Sequence, residues 1–211
     1  MTIIQGYDPS FTRDGIGLSI GVFDGVHIGH QSILQKLYDW GQVAQLPTAV
    51  LTFEPSPIEL LKPNLAPPKL TQSSQKIEIL QSFGIGAAFT LRFNTETSNM
   101  SAADFISEIL VDQLRTRHLV IGYDWHFGKD RGGTIETLEK YGEKYGFSIS
   151  VVEQRQIDGQ SVHSTKIRSA IAEGDLELAR AMLTRPHTLR GRVIRGDQRG
   201  RQIGFPTANI D

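Results

Sequence analysis

The sequence predicts an α/β protein with a Rossmann-like, mostly parallel, five-stranded sheet. Short apolar runs of strand length alternate with amphipathic stretches of helical period along the chain, and this alternation is typical of βαβ units. Glycine-rich polar stretches follow the first and fourth predicted strands, at the edge where parallel sheets bind ligands. The predicted strands are residues 15–21, 47–53, 86–93, 118–122 and 147–153.

Helices are predicted between these strands from the spacing of apolar residues. In residues 32–40, for example, Ile33, Leu34 and Leu37 recur on one face. Ser101 is suited to cap the third helix, because a serine side chain can accept a free N–H of the first turn. The predicted helices cover residues 32–40, 73–83, 101–114, 133–145, 164–174 and 175–183.

Composition excludes several classes of function. The 211 residues contain 22 basic and 23 acidic side chains, and the formal charge of −1 gives no general attraction for nucleic acid or an anionic membrane. The absence of cysteine excludes disulfides, thiolate zinc sites and cysteine nucleophiles. The N-terminus does not resemble a signal peptide and no apolar run approaches a membrane span. We therefore expect a cytoplasmic protein with neither nucleic-acid nor membrane partners.

The first glycine-rich stretch, GVFDGVHIGH at residues 21–30, contains His27 and His30 three residues apart. A metal site, a phosphate site and a plain strand-to-helix turn would each use some of these residues. No third ligand is marked by spacing, so the metal interpretation has little support. Glycines let a backbone approach phosphate closely, and imidazoles near their titration point at neutral pH could donate N–H groups to it.

A second polar cluster, HSTKIR at residues 163–168, is predicted to open a helix after the fifth strand. It combines two hydroxyls, an ammonium and a guanidinium at a helix N-terminus, the groups that a triphosphate requires. On its own, this segment is compatible with an ordinary capped helix start. Together with the two histidines it favours a phosphate site.

The composition changes near residue 184, which predicts a domain boundary between residues 1–184 and 185–211. The last segment alternates as β-structure does, with residues 195–200 as a turn. It could also be disordered or pack against the first domain. It is rich in arginine: Arg185, Arg190, Arg192, Arg195, Arg199 and Arg201.

The pairing of HxGH with STxxR resembles the nucleotidyltransferase superfamily. Five segments in order, GVFDGVHIGHQSIL, LTFEPSP, GYDWHFGKDRGG, STKIRSAIAEGDLELARAML and GRQIGFPTANI, are together similar to the bifunctional bacterial riboflavin kinase/FAD synthetase family. The resemblance extends from about residue 15 to the last residue. It implies transfer of AMP from ATP, bound with Mg²⁺, to FMN, which yields FAD and pyrophosphate.

The resemblance also assigns roles to residues of this chain. It implies that His27, His30 and Arg168 are catalytic, by contacting phosphates and stabilising charge as pyrophosphate leaves. The residues expected to bind ATP are Gly21, Phe23, Asp24, Gly29, Ser164, Thr165 and Arg168. The residues expected to contact the flavin are Phe53, Asp124, Trp125 and Phe127; Asp124 could instead bind the nucleotide, and core packing is the alternative for the three aromatic residues.

Three positions depart from the family pattern. Ser56 stands where the family usually has histidine, Trp125 where it has phenylalanine, and His163 where it has serine. These departures bear on efficiency and substrate fit more than on the class of reaction.

The final segment resembles only the opening of a riboflavin kinase domain, as a truncated N-terminal part. Thr207 and Asn209 match residues of the Mg·ATP site in that domain. A two-strand fragment cannot close a β-barrel, so we expect no riboflavin kinase activity from this chain.

Three other functions remain open on the sequence. The protein could bind flavin nucleotides without catalysis, or transfer a nucleotide to another small phosphate ester. It could also be a metal-binding regulator that uses His27, His30 and His126.

Overall fold

The computed structural model describes residues 1–197 and 199–210, and its centre is a six-stranded parallel sheet. The strand order across the sheet is β1-β4-β3-β2-β5-β6, and every neighbouring pair is parallel. The strands are β1 Thr2–Gln5, β2 Ile16–Ile20, β3 Thr48–Glu54, β4 Ala87–Arg92, β5 Thr116–Gly122 and β6 Ser148–Val152.

The predicted parallel α/β class is confirmed, but the prediction of five strands was wrong by one. The additional strand, β1, lies at the sheet edge and pairs only with β4 among the described residues. It has four residues, of which Ile4 alone is buried, while Ile3 is exposed. So short a strand, with a single inward residue, leaves almost no periodic signal in the sequence.

The helices connect these strands and cover both faces of the sheet. The segment predicted as a helix at 101–114 begins as α-helix and continues as a π-helix, Phe105–Gln113. Short 3₁₀ turns occupy Pro63–Leu65 and Lys129–Arg131. The α-helices are α1 Ile28–Ala44, α2 Pro57–Leu61, α3 Ser73–Ser82, α4 Thr95–Asn99, α5 Ala102–Asp104, α6 Ile135–Tyr145, α7 Ser164–Glu173 and α8 Leu176–Leu183.

The core consists of two apolar layers, one on each side of the sheet. On one side Leu34 and Leu37 of α1 pack with Leu80 of α3. On the other side the π-helix and α6 cover the sheet, and Ile106 and Leu138 are fully buried there. None of the helices formed by the described residues is both long and apolar enough to cross a membrane.

Beyond residue 152 the chain forms smaller elements. A hairpin pairs β7 Gln156–Ile157 with β8 Gln160–Ser161. Near the end, β9 Val193–Ile194 pairs antiparallel with β10 Asn209–Ile210, and a short helix α9, Arg199–Gln202, lies between them. The predicted β-character of this segment is therefore confined to two short strands. The turn predicted at 195–200 includes position 198, which lies outside the described residues.

The strand order places the site. From β2 the chain moves to β3 on one side of the sheet and later to β5 on the other, so the order reverses between β2 and β5. At such a point the loops after two adjacent strands diverge and leave a crevice. The loops that leave β2 and β5 are the two glycine-rich stretches identified in the sequence.

We predict that Gly17→Ala destabilises the packing of α1 against the sheet. A Cβ at Gly17 would lie 2.6 Å from two ring atoms of Trp40 and 3.1 Å from Leu37 Cδ1. Overpacking of this kind costs about 1–3 kcal/mol of unfolding free energy. Urea denaturation measures the change, and an unaltered midpoint would contradict the close approach of α1 to β2.

Candidate active site

The loop between β2 and α1 has an unusual backbone. Phe23, Gly25 and Val26 have φ values of +52°, +80° and +39°, a region that side chains rarely adopt. Phe23 is 1% exposed and Val26 is fully buried. Because such conformations cost about 1–3 kcal/mol each, packing and hydrogen bonds must hold this loop in one shape.

The first histidine caps the helix that follows the loop. His27 Nδ1 accepts the His30 backbone N–H at 3.4 Å, so α1 begins at Ile28, four residues earlier than predicted. With Nδ1 as acceptor, the neutral His27 ring carries its proton on Nε2. Gly29 leaves room for this ring, since a Cβ there would lie 3.1 Å from His27 Cε1.

The two imidazoles are stacked and neutral in the free protein. Their ring centroids lie 3.7 Å apart. Burial, reinforced by His163, lowers the pKa of His27 to about 4. Burial also lowers the pKa of His30 well below its ordinary value, with His27 and Lys76 adding to the effect. The expectation that both rings titrate near neutral pH is therefore wrong for the free protein.

Asp24 joins three segments of the chain. Its Oδ1 accepts the backbone N–H groups of Leu70 and Thr71 at 3.0 and 3.1 Å. Its Oδ2 pairs with the Arg168 guanidinium on α7. Its backbone oxygen accepts the Ser164 hydroxyl at 2.9 Å. The loop after β2, the segment before α3 and the start of α7 are thus fastened at one residue.

The second polar cluster opens helix α7 as predicted. His163 caps it, since its Nδ1 accepts the Lys166 backbone N–H at 3.2 Å. Ser164 lies in the first turn and faces the β2 loop. Arg168 also donates to the Pro68 carbonyl at 2.8 Å. Thr165 is exposed at the same helix start.

These residues surround what we call the histidine cleft, a space of about 380 Å³ at the sheet edge. Two helix N-termini meet there, α1 and α7. The cleft brings together most of the residues expected to hold nucleotide, while Asp24 and Arg168 line a neighbouring cavity. The expected residues lining the cleft are Gly21, Phe23, His27, Gly29, His30, Asp124, Trp125 and Ser164.

Two further cavities adjoin the histidine cleft. The lysine cavity, about 230 Å³, shares Val22 with the cleft. Its charged lining residues are three cations and three carboxylates: Lys69, Lys76, Arg168, Asp24, Glu54 and Glu59. The aromatic cavity, about 520 Å³, shares Phe53 with the lysine cavity and Trp125 with the cleft. The three spaces are therefore neighbours that share lining residues.

The structure brings three of the four residues expected at the flavin into the aromatic cavity. The Trp125 and Phe127 rings stack with centroids 4.7 Å apart and an interplanar angle of 14°. Phe53 meets Phe93 edge-on at 5.7 Å. Asp124, in contrast, lines the histidine cleft and is exposed there.

Two of the three positions that depart from the family pattern, Ser56 and His163, act as helix caps. Ser56 precedes α2, and its backbone N–H and hydroxyl both donate to Glu59 Oε2 at 2.7 Å. These bonds lower the pKa of Glu59 to about 2. His163 caps α7, a task for which serine is also well suited. Both departures therefore have a structural role beside the site.

Sequence reasoning missed a set of hydrogen bonds, which we call the latch, that Arg185 and Gln31 donate to carbonyl groups of the β2 loop and of Leu183. Arg185 donates to the carbonyls of Gly25, Val26 and Leu183 at 2.6, 3.3 and 3.0 Å. Gln31 Nε2 donates to Val26 and Leu183 at 2.9 and 3.0 Å. Burial lowers the pKa of Arg185. Nothing in the sequence distinguishes Arg185 from the five other arginines of the last segment.

Lys76, the buried lysine of the lysine cavity, was also missed. It lies four residues before Leu80 and so on the apolar face of α3, where a lysine is unexpected. That position is the signal that could have identified it.

The last segment contacts α3 through its beginning. Arg190 forms an ion pair with Glu78 at 2.7 Å, and Gln72 Nε2 donates to the Arg190 carbonyl at 2.6 Å. Thr207 and Asn209 share a separate space of about 240 Å³ beside β9 and β10.

The metal-site alternative is not supported by the described residues. No group of three or more His, Cys, Asp or Glu among them could hold a metal ion. His126 lines the aromatic cavity instead, with Nδ1 2.8 Å from the Asp124 carbonyl oxygen.

A parallel sheet with two helix N-termini at its switch point defines an α/β protein of the nucleotide-binding class. The family model described as FAD synthetase matches residues 11–166, and that described as riboflavin kinase matches residues 183–211. The chain belongs to the FAD synthetase family.

Relatives support this placement. The Escherichia coli K12 protein named bifunctional riboflavin kinase/FMN adenylyltransferase is 40% identical over 94% of this chain, which spans 63% of that protein's length. A protein of the same name from Haemophilus influenzae is 37% identical over the whole chain and 68% of its own length. A solved Streptococcus pneumoniae structure, titled a macrolide-efflux protein, matches with a TM-score of 0.83 and 27% identity, covering 100% of this chain and 69% of the other.

We predict that Arg185→Met lowers the free energy of unfolding by about 1–3 kcal/mol, because the Gly25 carbonyl loses its side-chain donor and the Val26 and Leu183 carbonyls each lose one of theirs. Urea denaturation measures this change. Arg192→Met, at an exposed position of the same segment, is the matched control. Equal midpoints for the two variants would contradict the latch.

We predict that acid weakens the fold between pH 6.5 and pH 4, in part through His27. In this range the unfolded histidine binds a proton and the folded one does not, so stability falls as pH decreases. The shift corresponds to a loss on the order of 3 kcal/mol by pH 4. Urea midpoints across this range should fall less steeply for His27→Gln than for the wild type. Unchanged steepness would contradict a buried, neutral His27, and His187→Gln is the control.

Proposed function

We propose that this protein transfers the adenylyl group of ATP to FMN, yielding FAD and pyrophosphate. The observation that carries the proposal is the pair of stacked imidazoles on a fixed loop, facing a cleft that shares Trp125 with the aromatic cavity. The matching FAD synthetase model and the FMN adenylyltransferase names of its relatives support the same reaction.

In this reaction an oxygen of the FMN phosphate attacks the α-phosphorus of ATP. A P–O bond forms between them, and the bond from the α-phosphorus to the bridging oxygen of the β-phosphate breaks. The electron pair leaves with pyrophosphate. The attacking oxygen already carries charge, so the protein needs no covalent nucleophile; it aligns two anions and offsets the leaving charge.

His27 and His30 supply the principal donors to the leaving phosphates. Each neutral ring can donate one N–H, and the approach of a polyanion would raise its pKa and favour the charged form. The free N–H groups at the starts of α1 and α7 add positive potential. The Ser164 hydroxyl lies at the second of these helix starts. Arg168 lines the neighbouring lysine cavity and acts on the site through its pairing with Asp24.

Mg²⁺ enters this proposal as part of the substrate Mg·ATP. The cleft offers oxygen donors of the type that magnesium prefers, since the exposed carboxylates of Asp124 and Glu153 line it. The metal supplies charge neutralisation on the phosphates. Asp124 thus fits the nucleotide end better than the flavin end.

The aromatic cavity is the proposed place of the isoalloxazine ring. Phe53, Trp125 and Phe127 provide flat apolar surfaces, and a planar flavin gains from stacking on such rings. The wider Trp125 ring at a position where the family has phenylalanine adds to this surface.

We further propose that residues 1–184 form the adenylyltransferase unit and that residues 185–211 belong to a riboflavin kinase-type segment. Thr207 and Asn209 would contribute to Mg·ATP binding in that second unit. Reliance on ATP and FMN, with the cysteine-free composition, favours the cytoplasm as its location.

We predict that the purified protein converts FMN and Mg·ATP to FAD with equal release of pyrophosphate. Replacement of either His27 or His30 by glutamine should lower kcat by about 100-fold, because the amide cannot take up the positive charge that an imidazole gains beside the leaving phosphates. The KM values should change much less. Flavin chromatography and a pyrophosphate assay measure both products, and His187→Gln is the control.

The outcomes separate the remaining alternatives. FMN binding without pyrophosphate release would favour a non-catalytic flavin-nucleotide-binding protein. Pyrophosphate release that depends on another phosphate ester, and not on FMN, would identify a different acceptor.

A further inference from the structure

Lys76 is a buried ammonium that the proposed function leaves unused. Its side chain lines the lysine cavity, and the residue is 8% exposed. Nζ donates to the Val22 carbonyl and to Thr52 Oγ1, both at 3.2 Å. An ammonium has three N–H groups, so these two bonds leave one without a protein acceptor among the described residues.

No carboxylate among the described residues forms an ion pair with Lys76. The acidic groups of the cavity are engaged elsewhere: Asp24 with Arg168, and both Glu54 and Glu59 with Lys69. Glu54 and Glu59 keep side-chain exposures of 47% and 31%, so solvent screens their charges. Burial lowers the pKa of Lys76, opposed by Glu54 and Asp24.

An ammonium removed from water without a direct counter-charge is costly. Such a group is retained where an anionic ligand completes it, and strongly perturbed groups in cavities cluster at functional sites. The Lys76 ammonium thus lines a cavity without a direct counter-charge among the described residues.

The position of the cavity indicates which anionic group of a ligand would pair with Lys76. The lysine cavity shares Val22 with the histidine cleft, and Phe53, Pro57 and Ile58 with the aromatic cavity. A ligand with its ring system in the aromatic cavity and its reacting end toward the histidines would bring that end close to Val22, whose carbonyl accepts a hydrogen bond from Lys76. In FMN that reacting end is the phosphate, which carries the attacking oxygen.

We propose that Lys76 recognises the phosphate of the acceptor, so that the lysine cavity distinguishes a flavin monophosphate from an unphosphorylated flavin. This inference rests on the proposed function. Lys76 forms no bond to the reacting atoms and takes up no proton; it offsets the acceptor's negative charge as that phosphate approaches the phosphates of ATP. Its effect therefore falls on acceptor binding more than on kcat.

The test compares FMN with riboflavin, which differ only by the phosphate. Affinities of wild type and Lys76→Met are measured by flavin fluorescence, together with KM for FMN, KM for ATP and kcat. We expect Lys76→Met to weaken the affinity for FMN about tenfold, while the affinity for riboflavin changes less than twofold. KM for FMN should rise about tenfold, with kcat and KM for ATP within about threefold of wild type.

Lys140→Met is the matched control, because it removes one positive charge from an exposed position on α6. It should leave both flavin affinities unchanged. If Lys76→Met does not fold, Lys76→Gln serves instead, since an amide can donate in place of the ammonium without its charge.

Equal weakening of FMN and riboflavin binding would show that Lys76 has only a structural role. An unchanged preference for FMN over riboflavin would also overturn the inference. Either result with a wild type that makes FAD leaves the proposed function standing. A wild type that neither binds FMN nor makes FAD would overturn both.

Discussion

The site depends on the carboxylate of Asp24. It accepts two backbone N–H groups from the segment before α3 and pairs with Arg168 of α7. Its side chain is 13% exposed, so the pair has been withdrawn from most of the solvent. A buried charge of this kind is tolerated only when its hydrogen bonds are satisfied, and here they are supplied by two other segments at once. Their relative placement follows from this one group.

The hydrogen bonds and ion pair of Asp24 also explain how the loop that contains Asp24 can hold a strained backbone. Phe23 and Val26 hold left-handed backbone conformations with their side chains buried. Arg185 and Gln31 add donors to the loop carbonyls from the opposite side. These hydrogen bonds and the burial of the two side chains offset the backbone strain in the folded protein. The histidines that follow are therefore positioned before any ligand binds. Preorganised donors of this type need no rearrangement when charge develops on a phosphate.

The electrostatics of the free protein favour an incoming anion. His27 and His30 are neutral because burial disfavours their charged forms. Lys76 is buried without a direct counter-charge among the described residues. A polyanion would reverse each of these unfavourable conditions, by raising the imidazole pKa values and by pairing the ammonium. The strand order concentrates these groups, because the loops after β2 and β5 diverge at the switch point.

The sequence alone determined the α/β class, five of the six strands, and the two polar clusters at helix starts. These features are local: apolar periodicity, glycine placement and capping residues are read over a few neighbouring positions. The boundaries of α1 and the edge strand β1 were less visible, because a histidine cap and a four-residue strand leave little periodic signal.

The tertiary structure alone decided which charges meet. Asp24 and Arg168 are 144 positions apart, and Arg185 reaches Gly25 across 160. It also placed Asp124 in the histidine cleft, changed the protonation of both histidines through burial, and left Lys76 beside a cavity. Burial and pairing are properties of distant segments brought into contact. Apart from the place of Lys76 on the apolar face of α3, no local pattern records them, since electrostatic free energy depends on distance and solvent access rather than on chain order.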